Sequence, residues 1–309
     1  MSKTLIVLNP HAAAGRAGKL WRQLEPLLWQ RLGDLVVAIT QHPREVARHI
    51  DQAYQSGLTR VVSIGGDGTN HTLVNALAGL NSRHPDAPPM VYGMLPVGTG
   101  RDWARTIKIP FKIEEAVEWI AHAVPRPTDI GQLTFDGQRE YFLNISSAGI
   151  SGEVARRVNA APKRPWTFLQ KTISALLTYT PPVMQIRLDG QDWYEGRAFI
   201  LTVANGTTFA HGMKIAPNAQ IDDGQFDIIL VEHMSRPRIL TALRMVYDGS
   251  HLRHPKVKAA RAKQVQIRGV TGVLDMEFDG EMTRGRELTF EIRPGLLHLL
   301  AEAPPKSGP

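Results

Sequence analysis

The residues best equipped for chemistry in this chain sit in three short segments in its first third. Gly65-Gly66-Asp67-Gly68-Thr69-Asn70 follows the apolar run Arg60-Val61-Val62-Ser63-Ile64 and opens a helical pattern. Glycine lets a backbone approach an anion closely. The first turn of a helix adds unpaired N–H groups and the positive end of its dipole. Thr69 can offer a hydroxyl to a phosphate. Asp67 is the odd member, because a carboxylate repels phosphate unless a cation or a proton stands between them; it is a candidate metal organiser or base. The plainer alternative is a Gly-Asp-Gly turn in which Asp67 only caps the helix. Leu95-Pro96-Val97-Gly98-Thr99-Gly100-Arg101-Asp102 forms a second phosphate-type turn, and Asn9-Pro10-His11-Ala12-Ala13-Ala14-Gly15 a third.

Other nucleotide and metal motifs do not fit. Gly15-Arg16-Ala17-Gly18-Lys19-Leu20 has the wrong spacing for a Walker A loop and lacks its hydroxyl, and the first turn has no G-x-G-x-x-G. His251-Leu252-Arg253-His254 is one residue short of the i, i+4 spacing of a zincin pair. The absence of cysteine excludes disulfide scaffolds, a thiol nucleophile, Fe–S clusters and thiolate zinc.

The elements that must position these turns are legible in the first half. Short apolar runs at 5–8, 35–39, 60–64 and 90–95 alternate with helical patterns at 18–32, 43–56 and 70–78. Strands separated by helices of this length predict βαβ units and a doubly wound parallel sheet, with all three turns on its carboxyl edge, where such folds bind nucleotides. After Val124-Pro125-Arg126-Pro127 the texture becomes period-2, with strands predicted at 132–135, 140–145, 183–188, 194–204, 226–232, 263–268, 273–278 and 287–292. Asp136-Gly137, Asp189-Gly190, Asp223-Gly224 and Asp279-Gly280 read as hairpin-type turns. Helical stretches are predicted at 166–179 and 237–247. The expected architecture is an α/β nucleotide-binding domain over 1–126, a mostly antiparallel β-sandwich over 127–303, and a tail at 304–309.

The ordered set of motifs resembles the catalytic domain of the diacylglycerol kinase and sphingosine kinase family, in its small bacterial lipid kinase form. It comprises Asn9-Pro10, Gly65 to Thr69, Leu95 to Asp102, Asn144 to Gly149, Asn205-Gly206, Gly212-Met213, Pro217-Asn218-Ala219, Asp222-Asp223-Gly224 and Asp279-Gly280-Glu281. The resemblance implies that ATP and an acceptor hydroxyl meet between the two domains. It implies ATP-binding positions at Asn9, Pro10, His11, Ala12, Ala13, Thr40, Gly65, Gly66, Asp67, Gly68, Thr69, Asn70, His71 and Thr99. It also implies a structural Mg²⁺ held by Asp223 with the carbonyls of Gln220 and Gln225, and catalytic carboxylates at Glu281, the proton acceptor's position, and Asp67. Which of the two is the base stays open. Arg101 and Asp102 are expected on the substrate side, and Arg101 replaces the Asn usual in this family.

The formal charge is +7, from Lys+Arg 36 and Asp+Glu 29. It is unevenly spread. Residues 236–268 hold nine Lys/Arg and only Asp248, residues 154–188 hold six Lys/Arg and no acid, and the remainder is net acidic. Basic residues interleaved with Trp166, Phe168, Leu169, Ile173, Leu176, Leu177 and Tyr179 suit an anionic membrane surface. A core helix with a solvated basic rim is the bland alternative. No apolar run is long enough to span a bilayer and the first residues are too short for a secretory core, so a cytoplasmic protein peripherally associated with the membrane is expected. No nucleic-acid motif is present. The oligomeric state is not fixed by the sequence, a homodimer being one option.

The expected function is an ATP- and Mg²⁺-dependent lipid kinase acting on diacylglycerol or a related lipid alcohol. The rivals are an NAD kinase, a sphingoid or ceramide-type lipid kinase, and a non-catalytic nucleotide- or lipid-binding regulator.

Overall fold

A computed structural model describes residues 3–98, 100–162 and 166–301. The chain divides into two units, one formed by 1–129 with 294–309 and the other by 130–293. In chain order the elements are β1 (Thr4–Leu8), α1 (Ala12–Leu32), β2 (Leu35–Ile39), α2 (Pro43–Gln55), β3 (Arg60–Ile64), α3 (Asp67–Arg83), β4 (Val91–Leu95), α4 (Asp102–Thr106), α5 (Ile113–His122) and β5 (Val124–Phe135). There follow β6 (Gln138–Phe142), β7 (Ile145–Gly149), α6 (Ile150–Asn159), α7 (Thr167–Thr178), β8 (Val183–Leu188), β9 (Gln191–Ala204), β10 (Phe226–Glu232) and α8 (Arg236–Met245). A 3₁₀ turn (Ser250–Arg253) leads to β11 (Val257–Ala262), β12 (Gln264–Gly269), β13 (Leu274–Phe278), β14 (Glu281–Gly285) and β15 (Glu287–Ala301).

The first unit is the expected α/β sheet. Its order is β2-β1-β3-β4, parallel throughout, with the end of β15 added in parallel beside β4 (His298 opposite Val91). Strands β1, β3 and β4 are apolar runs with almost every residue buried, as a sheet covered on both faces requires. Because β2 lies on one side of β1 and β3 on the other, the chain reverses direction across the sheet between β1 and β3. That is the switch point at which open α/β sheets bind ligands.

The sequence reading assigned 127–303 to one contiguous second domain. The structure instead returns the chain to the first unit at Pro294. Two buried side chains anchor this return: Asp129 accepts a bond from Gly295 N–H (2.8 Å) and Asn81 donates to the Leu296 carbonyl (2.8 Å). Leu297, Leu299 and Leu300 are then buried.

The second unit is antiparallel. Strands β6, β5, β15, β12 and β8 and the first half of β9 form one sheet; β14, β13, β7, the second half of β9, β10 and β11 form the other. Strand β9 therefore changes sheets along its length, the usual way a sandwich turns a corner. Both sheets feed one core, where Phe142 stacks on Phe226 (5.8 Å between centroids) and meets Phe290 edge-on (6.0 Å). Gly131 is required there, since a Cβ on it would stand 2.1 Å from the Phe142 ring.

Three of the four predicted Asp-Gly turns join paired strands with both residues at positive φ: 136–137, 189–190 and 279–280. Asp223-Gly224 does not. Only Gly224 has positive φ, and the pair lies in the segment leading into β10. The predicted strand 140–145 is also interrupted, for a reason that belongs to the site.

Candidate active site

Three loops at the carboxyl ends of β1, β3 and β4 meet in the first unit. Asn9 spans the switch point: its N–H bonds the Ile64 carbonyl (3.0 Å) and its side-chain amide bonds Thr69 Oγ1 (3.1 Å). Its carboxamide oxygen accepts from His11 N–H (3.1 Å). Beyond it Ala13, Ala14 and Gly15 all adopt left-handed backbone (φ 52°, 57° and 82°) before α1 becomes regular. For alanine that conformation costs about 1 kcal/mol per residue, and such strain collects at ligand sites. Thr40, at the end of β2, is buried and donates to the Leu8 carbonyl (3.3 Å).

The β3–α3 loop is fixed by its own glycines. A Cβ on Gly65 would stand 2.5 Å from Thr69 Cβ, so only glycine lets α3 begin this close to β3. Gly66 is the N-cap and Asp67 the first helical residue, so the carboxylate extends the helix start and does not cap it. Asn70 behind it accepts a bond from Ser63 Oγ (2.5 Å), and His71, one turn along, lies against Asn75 (3.3 Å).

The β4–α4 loop packs directly on this one. A Cβ on Gly98 would meet Gly66 Cα at 3.3 Å, and one on Gly100 would meet Asp67 Oδ2 at 2.9 Å. The Asp67 carboxylate thus sits where two glycine loops touch, above the edge of a parallel sheet. Thr99, the other expected contact, lies outside the described residues. Arg101 holds left-handed backbone (φ 58°) and donates from Nε to the Gly98 carbonyl (2.9 Å), while Asp102 pairs with Arg105 (3.1 Å).

The second unit carries the other expected residues. Asp279 accepts backbone N–H bonds from Leu143 (2.5 Å), Asn144 (3.0 Å) and Ile145 (3.1 Å). Those N–H groups bond a carboxylate instead of a neighbouring strand, which is why the predicted strand breaks at 143–144. The same corner is tied by Asn205 to the Leu143 carbonyl (2.8 Å) and Asn144 to the Thr208 carbonyl (2.8 Å). Asp279 is therefore a positioning residue for the turn that presents Glu281, an exposed side chain at the start of β14. Sequence reading took Asp279 for a turn residue and could not see this clamp, whose donors lie about 135 residues away.

Asp223 stands differently from expectation. Its carboxylate is paired with the Arg261 guanidinium and accepts from Gln225 N–H (3.1 Å), and Arg261 also reaches Asp227 (3.8 Å), whose carboxyl is pushed up by burial. Among the described residues no three His, Asp or Glu side chains converge as a metal site. A hard cation wants several oxygen donors. Here the Asp223 carboxylate already has a cationic partner, so Asp223 with the carbonyls of Gln220 and Gln225 does not fit a Mg²⁺ as it stands.

Glycine-rich loops at the switch point of a parallel sheet, in a chain that also carries an antiparallel sandwich unit, suit a nucleotide-dependent phosphotransferase. Comparison with known proteins sharpens this. Residues 3–133 match the diacylglycerol kinase catalytic domain and residues 144–301 match the YegS C-terminal NAD kinase beta sandwich-like domain. The chain is 27% identical to a diacylglycerol kinase of Staphylococcus carnosus over 79% of its length and 78% of the relative's. It is 28% identical to a Stenotrophomonas maltophilia protein named "Probable lipid kinase YegS-like", over 89% and 90% of the two chains. The fold matches the crystal structure of a diacylglycerol kinase from Bacillus anthracis with a TM-score of 0.72 at 22% identity, covering 97% of each chain.

The chain belongs to the diacylglycerol kinase catalytic-domain family, with a YegS-type second domain. It is a lipid kinase of that family, and membership implies ATP as the phosphate donor.

Proposed function

We propose that the protein transfers the terminal phosphoryl group of ATP to the hydroxyl of diacylglycerol or a closely related lipid alcohol. The observation that carries this reading is the Asp67 carboxylate held where two glycine loops touch at the switch point. The relatives named diacylglycerol kinase support the choice of acceptor.

In the proposed reaction the acceptor oxygen attacks the γ-phosphorus, the bond from that phosphorus to the β–γ bridging oxygen breaks, and ADP leaves. The hydroxyl proton passes to a carboxylate, assigned here to Glu281. Backbone N–H groups of the β1–α1 and β3–α3 loops, with Thr69, hold the phosphates and keep them oriented. Asp67 is the residue suited to a Mg²⁺ arriving with the nucleotide, a hard cation that would offset charge on the terminal phosphates. Phosphoryl transfer needs little more from the protein than positioning and charge compensation.

A lipid acceptor requires a docking face, and α7 supplies a candidate. It buries Ala175 and Leu176, yet Trp166 (69% exposed), Leu169, Ile173 and Leu177 also stand open to solvent at 3–4-residue spacing on its other side. A solvated basic rim would not look like this. Helix α8 packs beside it and exposes Arg236, Arg238 and Arg244, none with an acidic partner among the described residues. We assign this combination to peripheral contact with an anionic bilayer. No described helix is long and apolar enough to cross one.

The test is transfer of label from γ-labelled ATP to diacylglycerol in mixed micelles. Asp67→Asn and Glu281→Gln should each cut kcat by roughly 10²–10⁴, the range for losing a positioned acid–base or charge-organising group. Folded variants that retain wild-type turnover would remove both assignments.

A further inference from the structure

Glu281 stands directly after the Asp279-Gly280 turn, and that turn is held by two carboxylates. Asp279 is turned back to the N–H groups of Leu143, Asn144 and Ile145. The Gly280 N–H is taken by Glu277, whose Oε1 accepts it at 2.6 Å. Glu277 lies on β13, opposite Met282 of β14 and Ser147 of β7. Its Oε2 stands 3.5 Å from Ser147 Oγ, and its carbonyl accepts from Ser146 Oγ (3.2 Å); both serines are buried. The side chain thus reaches from β7 to the turn. The other two Asp-Gly hairpins lack this feature. At 189–190 the aspartate clamps a neighbouring segment much as Asp279 does, accepting from Lys263 and Gln264 N–H, but the residue three before the glycine is Arg187, which donates to the Gly190 carbonyl (2.5 Å). At 136–137 the corresponding residue is Thr134. A clamping aspartate therefore also serves a hairpin with no candidate catalytic residue, whereas the second carboxylate belongs to the one turn that presents Glu281.

We propose that Glu277 is a positioning residue for phosphoryl transfer: by holding the Gly280 N–H it fixes the backbone one residue before Glu281, and with it the direction in which the Glu281 carboxylate leaves the strand. This rests on the assignment of Glu281 as proton acceptor made above. Glu277 acts through the turn and not on the reacting atoms. It shares a face of the hairpin with Met282, while Glu281 shares the opposite face with Phe278. The need for it is physical. Asp279 and Gly280 both hold positive φ (48° and 92°) at the exposed end of a two-stranded hairpin, where local opening is easy. A carboxylate bond to an N–H is about twice as strong as a neutral one. A proton acceptor displaced by about 1 Å loses much of its effect.

The experiment measures kcat and KM with ATP and diacylglycerol for Glu277→Ala, for Glu277→Thr, which suits a strand but is too short to reach Gly280, and for the conservative Glu277→Gln, which keeps an acceptor oxygen. Each is made in the wild type and in Glu281→Gln, and amide hydrogen exchange at Gly280 is followed in the same proteins. In the wild-type background Ala and Thr should lower kcat about tenfold with both KM values within about twofold, and Gln should restore most of the loss. In the Glu281→Gln background the same changes should alter kcat by less than about twofold, because the residue they act through is gone. Gly280 exchange should quicken roughly tenfold in Ala and Thr and recover in Gln. A wild-type kcat in folded Ala or Thr variants, or a tenfold loss that persists in the Glu281→Gln background, overturns the proposal; a mere loss of stability would lower both backgrounds alike. Wild-type turnover in Glu281→Gln, or a wild-type protein that leaves diacylglycerol unphosphorylated, removes the reading on which the proposal rests. Gly280 exchange then decides separately whether Glu277 holds the turn, and exchange unchanged in Ala and Thr overturns that as well.

Discussion

Gly65 is the residue whose replacement tests the cradle with the least chemistry. Its missing Cβ would stand 2.5 Å from Thr69 Cβ, an atom rooted in the backbone of α3 and tied to Asn9 through its hydroxyl. Gly65→Ala must push the start of α3 away from β3. The expected result is a KM for ATP raised roughly tenfold or more, about 1.4 kcal/mol, with global stability little affected; unchanged ATP affinity would mean that the loop does not hold the phosphates. Asp279 predicts the opposite signature. Removing its carboxylate strands the N–H groups of Leu143, Asn144 and Ile145, so Asp279→Ala should cost about 3 kcal/mol by chemical denaturation. The glycine loops were readable because their residue types are their mechanism. The Asp279 clamp was not, since it joins residues that only the fold brings together.

At the scale of elements, the strands of the first sheet declared themselves as short apolar runs, two of them leading into glycine-rich turns. Apart from helix α5, the missed elements named here were short or lacked a large apolar pattern. Helix α4 spans five residues. Strand β7 is buried through Ser146, Ser147 and Ala148 rather than branched aliphatics, and β14 is nearly all polar and exposed. The return of β15 was hidden by Pro294-Gly295, which reads as an ending and is in fact a pinned turn in the strand. The 3₁₀ turn before β11 carries a further consequence. Its His251 is buried, bonds the Ile215 carbonyl (3.0 Å), and has its pKa lowered by that burial. The folded state therefore resists a proton that the unfolded chain accepts below about pH 6.5. The stability His251 contributes is complete above that pH and is lost as pH falls toward the folded-state pKa. Thermal unfolding between about pH 7.5 and 5.5 should show a smaller acid-side loss in His251→Gln than in the wild type; equal slopes would contradict this role.

On the scale of the whole molecule, the basic segments seen in the sequence are partly neutralised by acids from elsewhere in the second unit. Glu153 pairs with Arg156 and Arg157, Glu232 with Lys256 and Lys258, and Asp223 and Asp227 with Arg261. Exposed pairs of this kind add little stability, but they narrow the uncompensated charge of the proposed docking face to α8 and its neighbourhood. Binding to anionic vesicles should accordingly fall with salt. Replacing Arg236, Arg238 and Arg244 with Gln should weaken it by about 1 kcal/mol per residue. Ile173→Asp on α7 should weaken binding to neutral and anionic vesicles alike, and vesicle binding indifferent to both sets would remove the docking face. The identity of the acceptor is tested most directly by offering γ-labelled ATP with diacylglycerol and NAD together. Diacylglycerol kinase activity should put the label in organic-extractable phosphatidic acid, abolished by Asp67→Asn, with no NADP formed. Label appearing in NADP, or in inorganic phosphate alone, would contradict it.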